Sequence, residues 1–403
     1  MKTALTKRPQ MAQITQMTTL LRTRRYLRIF FVVLVSCGRD EPVTTTPERS
    51  LGEPAERFAQ PFTRISGVRE LADGRVIVAD QGEKRVLLLD SAWSAARPIA
   101  RQGQGPLEYS FPAAVIAYPG DSTLISDLLQ RRLLVLAPSG EPVRTINFPP
   151  SLGFGAWLKG DGRGNVYFQA NAITDPAQLA SGPPDSAALL RWNLASARID
   201  TVATVGLPRT ESGGSGGNFF MMVQPMTPAD DWAVTQAGWI GLARYTPYSV
   251  DWVGTDGRQS RGAPIPYNPV AVVEADKEEY QRARQDQGSM RISMSDGGGD
   301  ASISEGPAPN GPPPGMPELK WPTHKPPFLE QSVLAGPDNQ LWILRTQPAG
   351  QALARYDVID STGSVRERVT MPVGSRVVGF GASSVYVVRT DEDGLQWLER
   401  YRL

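Results

Sequence analysis

The sequence predicts an all-β chain: a six-bladed β-propeller of four-stranded antiparallel blades, with one short helix in an insertion between blades four and five. Two observations carry this. The first is a repeat. Residues 68–71 and 75–80 flank the turn Ala72-Asp73-Gly74, and Asp-Gly between apolar runs is a strong hairpin signal because the turn needs positive φ. Residues 85–90 supply a third strand and residues 97–100 a fourth. The unit then returns as residues 114–117, a turn at Gly120-Asp121, residues 124–127 and residues 132–136. Four short strands recurring at a period of about 45 residues are the signature of a propeller blade. The second observation is that Val76-Ile77-Val78-Ala79 and Val86-Leu87-Leu88-Leu89 are apolar without alternation. A sheet wet on one face alternates, whereas a blade is covered by a neighbour on each side. An eight-stranded closed barrel is the structural alternative, and it calls for stricter alternation and fewer strands.

The later blades follow the same plan. Blade three has its turn at residues 160–164 and strands at 165–169, 188–192 and 199–203, so residues 171–186 are an insertion. Residues 206–229 contain the Gly/Ser-rich run 212–217 and read as a loop into blade four, whose strands fall at 231–235, 239–243 and 248–253. From Glu274 to Gln287 Gly and Pro are absent, and Glu278 and Arg282 stand four apart, which predicts a short helix. Residues 288–317 are dominated by Gly, Pro, Ser and Asp and read as loop or disorder. Blade five resumes at Leu329, and blade six follows with strands at 377–380, 385–388 and 396–401. Its missing fourth strand would leave an unpaired edge, and residues 56–60 are available to fill it.

Ahead of the propeller lies an export signal. Arg22, Arg24, Arg25 and Arg28 precede the apolar run 29–35, which is too short to span a bilayer at about 20 residues per helix. It ends in Leu34-Val35-Ser36-Cys37-Gly38, which resembles the lipobox of bacterial lipoproteins. That resemblance implies cleavage before Cys37 and acylation of it, with residues 1–36 as signal peptide. A start at Met17 would give a signal of ordinary length, which makes residues 1–16 a candidate mis-called start. Residues 37–55, rich in Pro, Thr and Glu, read as a flexible tether, and residues 56–403 as the propeller, with insertions at 171–186, 206–229 and 270–328.

Composition limits the chemistry. Lys plus Arg number 42 against 41 Asp plus Glu, so no broad attraction to nucleic acid is expected. One Cys and one His exclude an intramolecular disulfide and any site built from Cys and His clusters.

The blades also carry a family resemblance. Residues 73–80, Gly103-Gln104-Gly105-Pro106-Leu107-Glu108-Tyr109 and Lys325-Pro326-Pro327-Phe328 resemble the six-bladed β-propeller lipoproteins of the NHL and TolB-like type, as found in Gemmatimonadota and Bacteroidetes. The resemblance covers most of residues 56–403 and implies fold more than activity. It places the protein in the cell envelope, lipid-anchored at the outer membrane and facing the periplasm or the cell surface.

Candidate sites are few. Asp80 and Arg85 stand five apart, and Asp127 and Arg132 repeat that spacing in the next blade, which marks turn-fixing pairs of the scaffold. His324 is the only imidazole and sits with Trp321 in a Pro-rich loop; the sequence assembles no Ser-His-Asp triad and no His-containing metal site around it. In antiparallel blades with strands A to D, the B–C and D–A connections leave on one face. The three insertions therefore crowd one rim, where a binding face including Trp321 and His324 is expected. The function expected is non-catalytic: a lipid-anchored scaffold, without cofactor, that binds an envelope protein, a peptide or a glycan. The alternative is a calcium-dependent propeller hydrolase, lactonase- or esterase-like, as in propeller lactonases resembling regucalcin, whose site would need converging carboxylates and amides.

Overall fold

The structure is a computed structural model, and it describes residues 46–152, 157–170, 184–215, 218–286, 289–294, 301–306 and 318–403. The signal segment, Cys37 and most of the tether lie outside the described residues.

Six antiparallel sheets form the blades. Strands A to D of blade one are Ile65–Glu70, Val76–Asp80, Arg85–Leu89 and Ala96–Pro98. Blade two is Pro112–Tyr118, Ser122–Asp127, Arg132–Leu136 and Pro142–Asn147, and blade three Lys159–Gly160, Asn165–Gln169, Ser186–Asn193 and Ile199–Gly206. Blade four is Asp231–Val234, Ile240–Tyr245, Tyr248–Val253 and Gln259–Arg261. Blade five is Val333–Ala335, Leu341–Leu344, Leu353–Ile359 and Val365–Pro372. Blade six contributes Ser375–Phe380, Ser384–Thr390 and Gln396–Arg402. The A strands touch in the sequence one to six and back to one, so the ring is closed.

The unalternating strands explain the packing. Every residue of Val76–Asp80 is buried. Val76 and Val78 join Tyr386, Val388 and Leu398 of blade six, while Ile77 and Ala79 join Ile125, Leu134 and Leu136 of blade two. Successive strand residues point to opposite faces, so one strand supplies two cores. Each of the other four blade–blade interfaces holds its own apolar cluster. Complete burial of each such Val, Leu or Ile contributes roughly 1.5–3 kcal/mol.

The N-terminal part of the propeller closes it. Strand β2 (Glu56–Arg57) pairs antiparallel with Gln396–Arg402 as the fourth strand of blade six, as the available residues 56–60 suggest. Ahead of it, β1 (Glu48–Ser50) adds to the outer edge of blade five in parallel, register Glu48 to Arg368. This corrects the tether reading for those residues. Arg49 pairs with Glu367 at 2.8 Å, and the open backbone edge of a D strand accepts a further strand whatever its composition.

Two segments read as loops contain hairpins. Thr210–Ser215 pairs with Asn218–Val223 inside the D–A connection from blade three to four. Ser289–Met294 pairs with Ala301–Gly306 inside the connection from blade four to five. The expected helix is present as α1 (Glu274–Asp286), the one α-helix among the described residues.

Candidate functional site

Each A strand starts at the face where the B–C turns and D–A connections emerge, and ends at the face of the A–B and C–D turns. All three insertions therefore open on the first face, here the insertion face, although residues 171–183 lie outside the described residues. Two of them are joined. Gln224 donates from Nε2 to the Glu318 carbonyl at 3.3 Å and accepts from Lys320 N at 2.6 Å, and Lys320 pairs with Glu211 at 2.8 Å.

The same face collects exposed apolar surface. Leu107, Trp157, Val223, Tyr267, Val273, Leu329 and Val373 lie in D–A connections, Leu129 and Leu395 in B–C turns, and Leu353 at the start of a C strand. Among the described residues, the large exposed apolar side chains elsewhere are only Val143, Trp239 and Leu403.

At the centre of this face the A strands begin, and charged groups stand at their starts. Asp231 opens the A strand of blade four; its Oδ1 accepts from Trp232 N at 2.7 Å and its Oδ2 from Val333 N of blade five at 3.0 Å. Lys159, which opens the A strand of blade three, places Nζ 3.7 Å from Asp231 Oδ1 and 4.8 Å from the centre of the Trp232 ring. It donates to the Trp232 carbonyl and, at 3.3 Å, to the Val333 carbonyl. One ammonium thus clasps three consecutive blades. Burial pushes the Lys159 ammonium below its ordinary value and the Asp231 carboxyl above its own, each opposed by the other's charge. Desolvation outweighs attraction in such a pair unless further hydrogen bonds satisfy it, and here backbone groups do so.

Glu330 lies just before the A strand of blade five. Its carboxyl is pushed up by the crowded surroundings, then by the Asp231 charge, with Lys159 opposing. Arg376, second residue of the A strand of blade six, donates from Nη2 to the Ile65 carbonyl of blade one at 3.3 Å. Burial lowers its pKa, opposed only by Tyr356. Both side chains are exposed.

No protein-family model matches the chain, and no curated protein does. Among solved structures it is similar to a DUF4221 family member from Bacteroides vulgatus, with 8% identity and a TM-score of 0.48 over 87% of this chain and 97% of that one. It is also similar to regucalcin, a calcium-binding protein from Agrobacterium tumefaciens, with 11% identity and a TM-score of 0.39 over 89% and 97%. A third likeness is to virginiamycin B lyase from Staphylococcus aureus, with 9% identity and a TM-score of 0.36 over 86% and 87%. All three likenesses concern fold alone.

The residues singled out in the sequence lie elsewhere. Asp80 is fully buried at the B–C turn of blade one, where it accepts from Arg64 N at 2.9 Å, Thr63 N at 3.3 Å and Glu83 N at 3.4 Å, and pairs with Arg85 at 3.2 Å. Asp127 repeats the backbone part, accepting from Ser110 N at 2.8 Å, Phe111 N at 3.2 Å and Gln130 N at 3.3 Å; burial raises its pKa and these bonds oppose the rise. The ion pair is not repeated. Arg132 instead donates to the Gly105 carbonyl at 2.5 Å and the Glu108 carbonyl at 2.7 Å, because the turn at residues 103–106 brings those oxygens over it. Glu108 closes that turn by accepting from Gly105 N at 2.8 Å, and a Cβ at Gly103 would overlap its carboxylate. Trp321 packs edge-on to Tyr280 of α1 at 5.4 Å, with Lys277 Nζ 6.0 Å from its centre. His324 is exposed, in a two-residue strand paired with Val270–Ala271. Both flank α1 on the insertion face, apart from the axial charges. Among the described residues, no group of three or more His, Cys, Asp or Glu could hold a metal ion.

Lys159, Asp231, Glu330 and Arg376 were not singled out in the sequence. A signal for them exists. Aligning the blades by their A strands puts Lys159 and Asp231 where blades one and two have Ile65 and Pro112, with Arg376 one position later and Glu330 three positions before the strand.

Proposed function

We propose that this chain is an envelope lipoprotein of the NHL and TolB-like type, anchored through Cys37, whose propeller is a non-catalytic scaffold that binds a partner on its insertion face. The partner is an envelope protein, a peptide or a glycan. The observation that supports this most is the gathering of exposed apolar side chains on one face, with two long insertions clasped above it. Rigid scaffolds present function on loops, and the loops of this face carry most of the exposed apolar side chains among the described residues. A calcium-dependent hydrolase has less support. The Lys159 ammonium stands 3.7 Å from Asp231 and acts electrostatically on Glu330, so the positive charge that a calcium ion would bring to these carboxylates is already in place.

Two measurements test the reading. Cys37→Ser should abolish incorporation of labelled fatty acid and release the protein from membranes; unchanged incorporation overturns the anchor. Photocrosslinking groups at Trp157 and Val373 should give adducts in intact cells, while the same groups at Val143 and Trp239 should not. Equal adducts at both pairs overturn the insertion face as the docking surface.

A further inference from the structure

A groove of about 370 Å³ opens between blades three and four on the face of the A–B and C–D turns, opposite the insertion face. Its volume is in the range of small-ligand sites. Blade three supplies one wall with Arg191, Arg198, Asp200 and Thr201, and blade four the other with the C–D turn at residues 254–257. On the floor lie Tyr167, Ile240 and Val253, members of the core between these blades. Tyr167 is 2% exposed, and its hydroxyl donates to Asp161 Oδ2 at 3.4 Å. Asp161 is buried as well, and accepts from Asn165 Nδ2 at 2.7 Å and Arg163 N at 2.8 Å. Gly238, at φ 80°, keeps the inner end open: a Cβ there would stand 3.1 Å from Thr255 Cγ2 and 3.7 Å from Asp161 Oδ2.

The blade-three wall offers donors and acceptors side by side. Asp200 Oδ2 accepts from Arg191 Nη2 at 3.2 Å, and its Oδ1 from Arg198 Nε at 2.7 Å. A carboxylate has about four acceptor sites and a guanidinium five N–H donors, so these two bonds exhaust neither side. A plain anion approaching the guanidiniums meets the Asp200 charge bonded to both of them, and a plain cation meets the arginines. An apolar ligand would take water from all three without replacing its hydrogen bonds. A hydroxyl is donor and acceptor at once. Neighbouring hydroxyls can therefore accept from an arginine and donate to Asp200 together, with the Thr201 and Thr255 hydroxyls beside them. We propose that the groove between blades three and four binds an uncharged saccharide, with adjacent hydroxyls on Arg191 and Asp200 and its ring against the floor. Charge-assisted hydrogen bonds are the strong ones, so the Arg191–Asp200 pair sets the orientation of the sugar. Asp161 positions the site by fixing the Tyr167 hydroxyl at its floor.

This site lies on the face opposite the proposed docking surface, so either reading can fail while the other stands. Calorimetric titration of the intact protein uses cellobiose, maltose and N,N′-diacetylchitobiose. Their permethylated forms, which lack hydroxyl donors, serve as controls, with sulfate for the anion and N-acetylglycine methylamide for a peptide. At least one disaccharide should bind about tenfold or more tightly than every control. Asp200→Asn and Arg191→Gln should each weaken that disaccharide at least about tenfold, which assigns the binding to this groove. Both side chains are partly exposed, and unchanged melting temperatures verify that the variants fold. Should a variant melt lower, the wild-type comparison with the permethylated sugars decides by itself. The proposal is overturned if no disaccharide binds, if any control binds as tightly as the best disaccharide, or if both folded variants bind it like wild type.

Discussion

At the residue scale, the ion pair Asp80–Arg85 divides unequally. Asp80 is fully buried and holds three backbone N–H groups besides the arginine, tying the B–C turn to the segment that enters blade one. The Arg85 side chain is 38% exposed, and its contact with Asp80 is of the kind worth about 0–1 kcal/mol. Removing the carboxylate strands buried donors, at about 1–3 kcal/mol each when left unmade and less where water reaches them. Asp80→Ala should therefore destabilise by about 2–4 kcal/mol, and Arg85→Ala by less than about 1 kcal/mol, read from urea unfolding midpoints. Equal losses would mean that the pair, and not the backbone anchorage, holds the turn. Asp127 points the same way, since it keeps the backbone bonds although its arginine has gone elsewhere.

At the scale of elements, the period of the strands was legible and the pairing of the insertions was not. Blade strands announce themselves because both faces are covered and their residues are apolar apart from a charged residue at one end. The hairpins Thr210–Ser215 with Asn218–Val223 and Ser289–Met294 with Ala301–Gly306 carry Gly and Ser, whose strand propensity is low; propensity is a weak prior that pairing overrides. The glycines of the A strands were also silent in the sequence, because their role is a distance between blades. A Cβ at Gly67 would lie 2.8 Å from Val115 N of the next blade, closer than a Cβ contact allows. The φ there is not left-handed, so the cost is one of space. Gly67→Ala should destabilise the protein by about 1–3 kcal/mol, the cost of overpacking, seen as a lowered melting temperature. A neutral effect would show that blades one and two can slide apart.

At the scale of the whole molecule, a propeller's function sits where its blades meet, and that place is dispersed in sequence. Lys159, Asp231 and Glu330, from three blades, come within electrostatic reach of one another only after the ring has closed, and insertions of unequal length separate them. No local spacing joins them, whereas the repeat that forms the ring is written in every blade. Closure is thus what makes a site of them, and β2 is its last piece. Glu399 is fully buried, accepts from Arg57 of β2 and from the Tyr401 hydroxyl at 2.7 Å, and lies 3.4 Å from Arg389. Phe58 and Phe62, which follow β2, pack at 5.7 Å in the core between blades six and one. A chain beginning at residue 52 loses β1, the part-buried pair Arg49–Glu367, the pair Glu48–Arg355 and the packing of Leu51 at the edge of the core between blades five and six, and should melt in one transition within about 5 °C of the full chain. A chain beginning at residue 63 loses β2 and both phenylalanines. It leaves Glu399 without Arg57 and an open edge on blade six, so it should lose the cooperative transition or aggregate through that edge. If instead it melts like the full chain, closure by β2 contributes nothing, and the ring must be held by the contacts between blades alone.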